Sequence, residues 1–244
     1  MFLIGLTVSP FFVFQNSDLF GRVIVLLLIV ASIITWTIIL DKLFYLRWVR
    51  KHTLRYLDTP RKNQTAVDIF LMLDSIEGPI KSILDRALST IAGVTKTTKD
   101  QLIEEMRQPQ FGLIITEVDM NLVHASIEES VDSEIEKMEE SLGLLGSIVS
   151  SCPYIGLLGT VWGVMMAFGG MAIEGKADIN AIAPGVSGAL LTTVVALIVA
   201  IPALIGYNQL IVSVKQLTLR FDHCASEITN LLRSSWILQP REHK

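Results

Sequence analysis

The sequence is poor in the residues that build metal, redox and catalytic sites. Its two cysteines, Cys152 and Cys224, lie far apart in the chain and show no metal-binding or redox spacing. The four histidines form no H-x-x-H or H-E-x-x-H pattern, and no phosphate loop or nucleophile–base pair is evident. A net charge of −4 excludes the basic excess typical of nucleic-acid binding. We therefore expect free thiols, no metal, no cofactor, no nucleic-acid partner and no enzymatic activity.

Charge is also absent from three long stretches of mainly apolar residues. They are residues 23–40, 142–173 and 179–214, which contain 18, 32 and 36 residues. A helix needs about 20 mainly apolar residues to cross a hydrocarbon core of about 30 Å. The sequence therefore predicts an all-α integral membrane protein with three transmembrane helices. The second and third stretches exceed the bilayer, so we expect these helices to extend into the cytoplasm.

Lysine and arginine are distributed unevenly around these stretches. Seven of them fall in residues 42–62 and five in the C-terminal tail, whereas Arg22 and Lys176 stand alone on the other side. Because basic residues concentrate on the cytoplasmic side, the N-terminus is predicted outside and the C-terminus inside. No lysine or arginine precedes Arg22, so the start of the chain lacks the positively charged region of a signal peptide. We expect the segment before Arg22 to lie at the outer membrane interface.

The predicted organisation follows from these spans. It consists of a periplasmic or interfacial segment 1–21, a first span 22–41, a cytoplasmic helical insertion 42–141, a second span 142–173, a short periplasmic loop 174–183, a third span 184–207 and a cytoplasmic helical tail 208–244. Within the insertion, apolar residues recur with helical spacing over residues 67–73, 79–91 and 99–106.

Residues 117–140 form the acidic part of the insertion. They include nine Asp or Glu and one lysine, while the apolar residues keep a helical period. We predict a long amphipathic helix that runs straight into the second span. Its acidity has two interpretations, a solvated helix face or a vestibule that concentrates cations at a pore.

Small residues occupy one side of the second and third predicted spans. At roughly 100° per residue they fall within an arc of about 100–120° on each helix. They include Pro153, Gly156, Gly159, Gly163 and Ala167 in the second span, and Gly185, Ala189, Thr192, Thr193, Ala196 and Ala200 in the third. Such faces let helix backbones approach closely, so plain packing is one interpretation. The other is a lined cavity that accepts a further helix or water.

Thr160 and Thr193 lie near the centres of these faces and near mid-membrane, with Thr192 beside the latter. Each hydroxyl either bonds back to its own helix or makes a polar contact along an ion path. No Asp, Glu, Lys, Arg or His lies in residues 142–173 or 179–214. Because a threonine does not titrate, a proton that crosses here needs a protonatable group from another chain.

Three prolines fall in or near these spans. Pro184 suits the first turn of the third span. Pro153 and Pro202 lie inside spans, where each removes a backbone hydrogen bond and is predicted to kink its helix. The kinks are interpreted either as packing features or as functional hinges.

Several runs resemble the signature of the MotA/TolQ/ExbB proton-channel family. Residues 152–163 read Cys-Pro-Tyr-Ile-Gly-Leu-Leu-Gly-Thr-Val-Trp-Gly, and residues 183–185, 189–193, 200–203 and 207–208 read Ala-Pro-Gly, Ala-Leu-Leu-Thr-Thr, Ala-Ile-Pro-Ala and Tyr-Asn. The resemblance covers roughly residues 20–235. Three spans with a large insertion after the first are similar to TolQ and ExbB rather than to the four-span MotA type. The Pro-Tyr-Ile-Gly wording favours TolQ, with ExbB a close second.

This resemblance implies a function, a location and partners. It implies a bacterial inner-membrane protein that assembles as a pentamer, with the second and third spans around a pore. Two helices of a small single-pass partner of TolR or ExbD type occupy that pore, and each supplies an essential aspartate. Thr160 and Thr193 match the threonines beside that aspartate. A TolA- or TonB-like single-pass protein is a further implied partner at the outer helix face.

The sequence departs from the family pattern at two positions. Gly188 stands five residues before Thr193, where TolQ- and ExbB-like proteins commonly have a glutamate, and Ala196 stands at a common glycine position. The missing glutamate removes the pore's own acidic group. Two interpretations are open: protons enter by a different route, or the chain is a diverged member of the family.

The residues bear on three other functions. A structural scaffold that clamps partner helices without conduction would suit Gly188. A small-solute transporter usually shows internal repeats or broken half-helices, and neither is evident. An ExbB-like subunit that powers outer-membrane import is not separable by residues from a TolQ-like one.

Overall fold

A computed structural model describes residues 18–57, 65–108, 111–174 and 179–236, and all regular structure in these ranges is helical. The α-helices are α1 Leu19–Leu57, α2 Ala66–Leu71, α3 Pro79–Val94, α4 Lys99–Met106, α5 Glu117–Glu139, α6 Leu142–Glu174 and α7 Ile179–Trp236, with a 3₁₀ turn at Leu73–Ser75. Three helical stretches are long and apolar enough to cross a membrane: Leu19–Leu57, Glu117–Ile173, which covers α5 and nearly all of α6, and Ile182–Trp236. The all-helical prediction with three membrane-capable helices is confirmed.

The chain divides into two compact units. The first comprises Met1–Lys42 and Ser141–Ile211, and the second comprises Leu43–Glu140 and Val212–Lys244. Helices α1 and α7 each contribute residues to both units. Most of the interfacial segment predicted at residues 1–21 lies outside the described residues.

In the first unit, the early part of α1 packs against α6 and α7. Ile24 and Leu28 of α1 form a buried core with Cys152 of α6 and with Ala196 and Ala200 of α7. The other sides of these helices carry exposed leucine, isoleucine and valine side chains, among them Val30, Ile33, Leu157, Val161 and Ile198. Apolar residues on the outside and small residues on the inside are the pattern expected of helices that pack within lipid.

Helix α1 begins earlier than the predicted span. The Asp18 carboxylate accepts a hydrogen bond of 2.9 Å from the Gly21 backbone N–H, and the Asp18 carbonyl accepts one of 3.1 Å from Arg22 N–H. Side-chain acceptance of a free N–H is how an aspartate starts a helix. The helix therefore starts at Leu19, directly after Asp18 and three residues before Arg22.

The predicted straight passage of the acidic helix into the second span is wrong at one point. Helix α5 ends at Glu139, Glu140 is extended with ψ of 136°, and Ser141 has a φ of 66°. A left-handed conformation costs a residue other than glycine about 1–2 kcal/mol, so the surrounding structure must impose it. The sequence gives no sign of this break, because Met138 and Leu142 stand four residues apart, as on a continuous helix, and both are buried.

Pro184 does not lie in the first turn of its helix. Helix α7 begins at Ile179, so Pro184 lies inside it, as does Pro202, and Pro153 lies inside α6. Pro184 is the sixth residue of α7, so its missing N–H removes one backbone bond just beyond the four N–H groups that a helix start leaves unbonded. The helices continue through all three prolines, and the kinks at Pro153 and Pro202 stay predictions.

The second unit is built on a helix pair. The buried faces of α3 and α5 pack together through Ile80, Ile83, Leu84, Ala87, Leu88 and Ile91 on α3 and Met120, Val123, Ile127 and Val131 on α5. Arg86 and Glu129 join the two helices with an ion pair of 3.0 Å. Helices α2 and α4 start at capping boxes made by Thr65–Asp68 and Thr98–Gln101. The helical segments predicted within residues 67–106 are confirmed.

Glu134 is an exception on the acidic helix α5, whose other acidic side chains are mostly exposed. Its side chain is only 6% exposed, and the carboxylate accepts a hydrogen bond of 2.6 Å from Lys137 Nζ. That bond raises the pKa of Lys137 above its usual value. The stabilisation is therefore fully present below the usual lysine pKa of about 10.4 and is lost as the pH rises through the raised value.

Removing the lysine tests this pair. We expect Lys137→Met to leave a buried carboxylate with one charged donor fewer, and to lower the free energy of unfolding by about 1–3 kcal/mol at neutral pH. Thermal unfolding of the purified chain, followed by circular dichroism, measures the effect. Glu139→Gln, a change at an exposed residue of the same helix, is the control and should leave the midpoint within error.

Candidate functional site

Helices α6 and α7 approach each other through the small residues that the sequence singled out. Gly156, Gly159 and Gly163 are all buried. A Cβ added to Gly156 would overlap the Cβ of Ala196, and one added to Gly163 would lie 2.7 Å from the Cβ of Ala189. Real Cβ atoms essentially never come so close, so these positions accept glycine alone unless the helices move apart. The close approach is the helix packing that small residues permit.

Three threonine hydroxyls converge at the centre of this contact. Thr160 Oγ1 of α6 and Thr193 Oγ1 of α7 are hydrogen-bonded to each other. Thr193 Oγ1 also lies 2.9 Å from the Gly156 carbonyl oxygen, to which Thr160 Oγ1 and Thr192 Oγ1 both lie at 3.1 Å. Thr160 and Thr193 are half-buried, whereas Thr192 is 1% exposed. The hydroxyls thus bridge the two helices instead of serving only their own.

The hydrogen bonds of the three threonines differ in kind. Thr192 donates to the Ala189 carbonyl at 2.7 Å, three residues back on its own helix. Thr160 makes the i−4 bond to Gly156 and a longer approach of 3.4 Å to the Ala189 carbonyl across the contact. Both hydrogen-bond partners of the Thr193 hydroxyl, the Thr160 hydroxyl and the Gly156 carbonyl, belong to α6. The partly exposed pair Thr160–Thr193 is therefore the polar group that remains accessible to a further helix or to water.

The other predicted lining residues have different surroundings. Ala196 and Ala200 are buried against Ile24 and Leu28 of α1, which cover one side of the helix pair. A Cβ at Gly185 would lie 3.1 Å from the Cβ of Ala167, so these two residues continue the α6–α7 contact. Pro153 is half-buried. Packing within one chain thus accounts for most of the small face, and the pore-lining role of these residues stays a prediction.

The two departures from the family pattern, Ala196 and Gly188, are both buried. Ala196 is fully buried, and its methyl group occupies the space opposite Gly156. Gly188 is buried as well, one residue before the buried Ala189 that faces Gly163. Glycine at position 188 contributes no carboxylate to this part of α7.

Two features of the first unit were not found from the sequence. Ile24 and Leu28 of α1 complete the core around Ala196, but an unbroken apolar run gives no sign of which residues turn inward. Thr35 of α1 is 1% exposed, and its hydroxyl has no hydrogen-bond partner among the described residues. Ser32 and Thr37 stand in the same apolar run, so no signal in the sequence separates Thr35 from them. Both cysteines are free, as predicted, and both are buried.

The chemistry of the site is neutral and polar. Hydroxyls donate and accept hydrogen bonds, and those of threonine carry no charge at accessible pH. Within the described ranges, no group of three or more His, Cys, Asp or Glu side chains is placed to hold a metal ion. The arrangement suits hydrogen bonding to a group brought from outside the chain.

Known proteins with similar sequences include ExbB and TolQ proteins. The chain is 30% identical over 201 residues to the biopolymer transport protein ExbB of Pseudomonas putida, covering 82% of this chain and 56% of that protein. It is 38% identical over 113 residues to the Tol-Pal system protein TolQ of Pseudomonas aeruginosa, covering 46% of this chain and 49% of that protein. It thus spans about half the length of these relatives. ExbB of Neisseria meningitidis serogroup A is 25% identical over 216 residues, which cover 88% and 93% of the two chains.

Both names occur among the relatives, so the preference for TolQ over ExbB stays a prediction. The sequence pattern of the MotA/TolQ/ExbB proton channel family matches residues 80–223, more than half of the chain, including α6 and the part of α7 that carries the threonines. On this match, and on the paired helices that it covers, the chain belongs to the MotA/TolQ/ExbB proton channel family.

Proposed function

We propose that this chain is the pore-forming subunit of a proton-motive-force transducer in the bacterial inner membrane. Several copies, five by the family resemblance, surround the helices of a small single-pass partner of TolR or ExbD type. The complex energises a process in the outer envelope, of the Tol-Pal kind or the biopolymer-transport kind that the relatives' names describe. The chain itself catalyses no covalent chemistry.

One observation carries this proposal: the hydroxyl pair Thr160–Thr193 at the contact of two membrane-capable helices. Residues 142–173 and 179–214 hold no titratable carboxylate, amine or imidazole, so the pair sits in a neutral stretch. A charge at the bilayer centre costs about 2.5–3.5 kcal/mol on insertion scales. A partner aspartate placed beside the hydroxyls gains hydrogen bonds when ionised and becomes neutral when it takes up a proton. That cycle supplies the titratable group that this chain lacks.

The proposed topology places the N-terminus in the periplasm and the C-terminus in the cytoplasm. It rests on the excess of lysine and arginine in residues 42–62 and in the C-terminal tail. The division of the chain after Lys42, before Ser141 and after Ile211 supports the proposed ends of the spans, because these points lie close to the predicted membrane boundaries, and the orientation rests on the charge distribution. One charge that falls through 100 mV yields about 2.3 kcal/mol, so work on a distant envelope protein requires several protons per cycle.

A second candidate function is a scaffold that clamps partner helices without conducting ions. Two observations favour it. The small residues already find partners within the chain, as Gly156 does in Ala196, and Gly188 supplies no acid where the resemblance leads one to expect a glutamate. A TolA- or TonB-like helix would then bind the exposed apolar face of α1, which includes Val30 and Ile33.

Proton flux into liposomes separates the two functions. The chain is reconstituted alone, with its small partner, and with a partner whose transmembrane aspartate is changed to asparagine, and a pH dye reports flux at an imposed potential. We expect flux only with the unmodified partner. An intact complex that conducts in none of the three preparations would establish the scaffold function instead.

A further inference from the structure

A pocket of about 180 Å³ lies in the second unit between α1 and α7. Its polar lining consists of Arg47 and Arg50 from α1 and Ser213, Gln216 and Arg220 from α7. The remaining lining is leucine, and no acidic residue contributes. The volume is several times the roughly 30 Å³ that one water molecule occupies in the liquid. The pocket is therefore a small, strongly basic cavity.

Its three arginines lack anionic partners in the part of the chain that the structure describes. Arg47, Arg50 and Arg220 take part in no ion pair or hydrogen bond there, although Arg86 and Arg107 on the helical insertion do. Arg47 and Arg50 stand three residues apart and so project from the same side of α1. Three guanidinium groups around one cavity repel each other, and an anion relieves that repulsion. Arginine presents a planar fork of donors that fits phosphate oxygens.

The position of the pocket along its helices indicates a source for that anion. Arg47 is six residues past the predicted end of the first span at Asp41, about 9 Å along the helix. Arginine stems extend toward the membrane surface and keep the charge at the headgroups. On α1, Phe44 and Trp48 flank Arg47 and are 65% and 46% exposed, and Tyr45 stacks on Trp48 with ring centroids 6.2 Å apart. Exposed aromatic residues of this kind mark the membrane–water interface.

We propose that this pocket binds the phosphate group of an anionic phospholipid in the cytoplasmic leaflet. Arg47, Arg50 and Arg220 contact the phosphate oxygens, Ser213 and Gln216 contact the headgroup, and the leucines face the upper part of the acyl chains. The binding is independent of proton conduction, and only the choice of a lipid as the source rests on the proposed topology. A soluble phosphate compound shares the chemistry, so the test includes it.

Native mass spectrometry of the full chain in detergent micelles tests the site. Dioleoyl-phosphatidylglycerol is titrated against dioleoyl-phosphatidylcholine, with inorganic phosphate as the soluble competitor. We expect phosphatidylglycerol to bind more tightly than phosphatidylcholine and the double variant R50Q/R220Q to weaken it at least about tenfold, since a hydrogen bond to a charged group is worth more than the 1.4 kcal/mol of one decade. The control K51Q/K215Q removes the same charge from exposed positions on the same two helices outside the pocket.

The outcomes are distinct. Equal loss of binding in R50Q/R220Q and K51Q/K215Q, or equal binding of the two lipids without any effect of phosphate, would overturn the proposal. Inorganic phosphate that binds by itself and displaces phosphatidylglycerol would keep the site and assign it to a soluble compound. If R50Q/R220Q loses helical content by circular dichroism, R50K/R220K takes its place. Lysine keeps the charge without the fork, so specific binding should fall in that variant but stay above the level of phosphatidylcholine.

Discussion

The Gly156→Ala variant is expected to lose about 1–3 kcal/mol of unfolding free energy, the usual cost of adding a methylene group to a well-packed contact. The new methyl group would overlap the Cβ of Ala196 and lie 3.1 Å from the Thr192 carbonyl oxygen, which belongs to the backbone and cannot rotate away. Helices α6 and α7 must then separate, and the bonds from Thr192 and Thr193 to the Gly156 carbonyl weaken. Thermal unfolding of the purified chain in detergent measures the loss.

Two matched variants make this prediction specific. Gly169→Ala makes the same change in the same helix where no atom lies within 4 Å of the new Cβ, and should stabilise by about 0.5–1 kcal/mol through helix propensity. The double variant Gly156→Ala/Ala196→Gly moves the methyl group across the contact and should recover at least half of the loss. Equal stability of the Gly156→Ala and Gly169→Ala variants would contradict the close contact of α6 and α7.

The second expected result concerns conduction. In the Thr160→Val/Thr193→Val variant, proton flux of the reconstituted complex should fall about 10- to 100-fold, because a hydrogen bond to a charged group is worth about 1.5–3 kcal/mol. Stability should change little, since both partners of the interhelical bond become apolar groups of similar shape. The Gly156 carbonyl also keeps the hydroxyl of Thr192 at 3.1 Å. The pH-dye assay and the unfolding midpoint are measured on the same preparation.

Thr37→Val is the matched control for that variant. Thr37 lies on the membrane-capable part of α1, is exposed, and donates only the common i−4 bond of 2.8 Å to the Ile33 carbonyl. Its loss should leave flux within a factor of about two, well below the tenfold step of 1.4 kcal/mol. A Thr160→Val/Thr193→Val complex that assembles and conducts like the parent would show that the hydroxyls serve packing alone. The single variant Thr192→Val then decides whether the buried third hydroxyl belongs to the path.

The sequence predicted the hydroxyl site but did not predict the turn between α5 and α6. Thr160 and Thr193 each fell near the centre of a small-residue face, and two such faces in one chain meet readily, because glycine and alanine offer the closest backbone approach. The turn at Glu140 and Ser141 has no glycine, proline or asparagine to announce it. Its left-handed serine depends on contacts made elsewhere in the fold, which no local pattern records.

The basic pocket also could not be predicted from the sequence, although two of its arginines were singled out there. Arg47 and Arg50 were visible as cytoplasmic charges and served to orient the spans. That they share a cavity with Arg220 could not be predicted, because 170 positions separate Arg50 from Arg220 along the chain. The pocket arises only where the continuations of α1 and α7 lie side by side within the second unit.

Hydropathy and charge along the chain were sufficient to predict three membrane-capable helices, two of them without Asp, Glu, Lys, Arg or His in residues 142–173 and 179–214, and the motif runs around Thr160 and Thr193 predicted the family. These properties belong to runs of residues and act through the solvent, water or lipid, that surrounds each run. Three other features depend on the rotation of each helix about its axis. They are the pairing of glycines with alanines between α6 and α7, the convergence of three hydroxyls on the Gly156 carbonyl, and the burial of Glu134 beside Lys137. Packing against neighbouring helices sets that rotation, and close-packed side chains allow few alternatives.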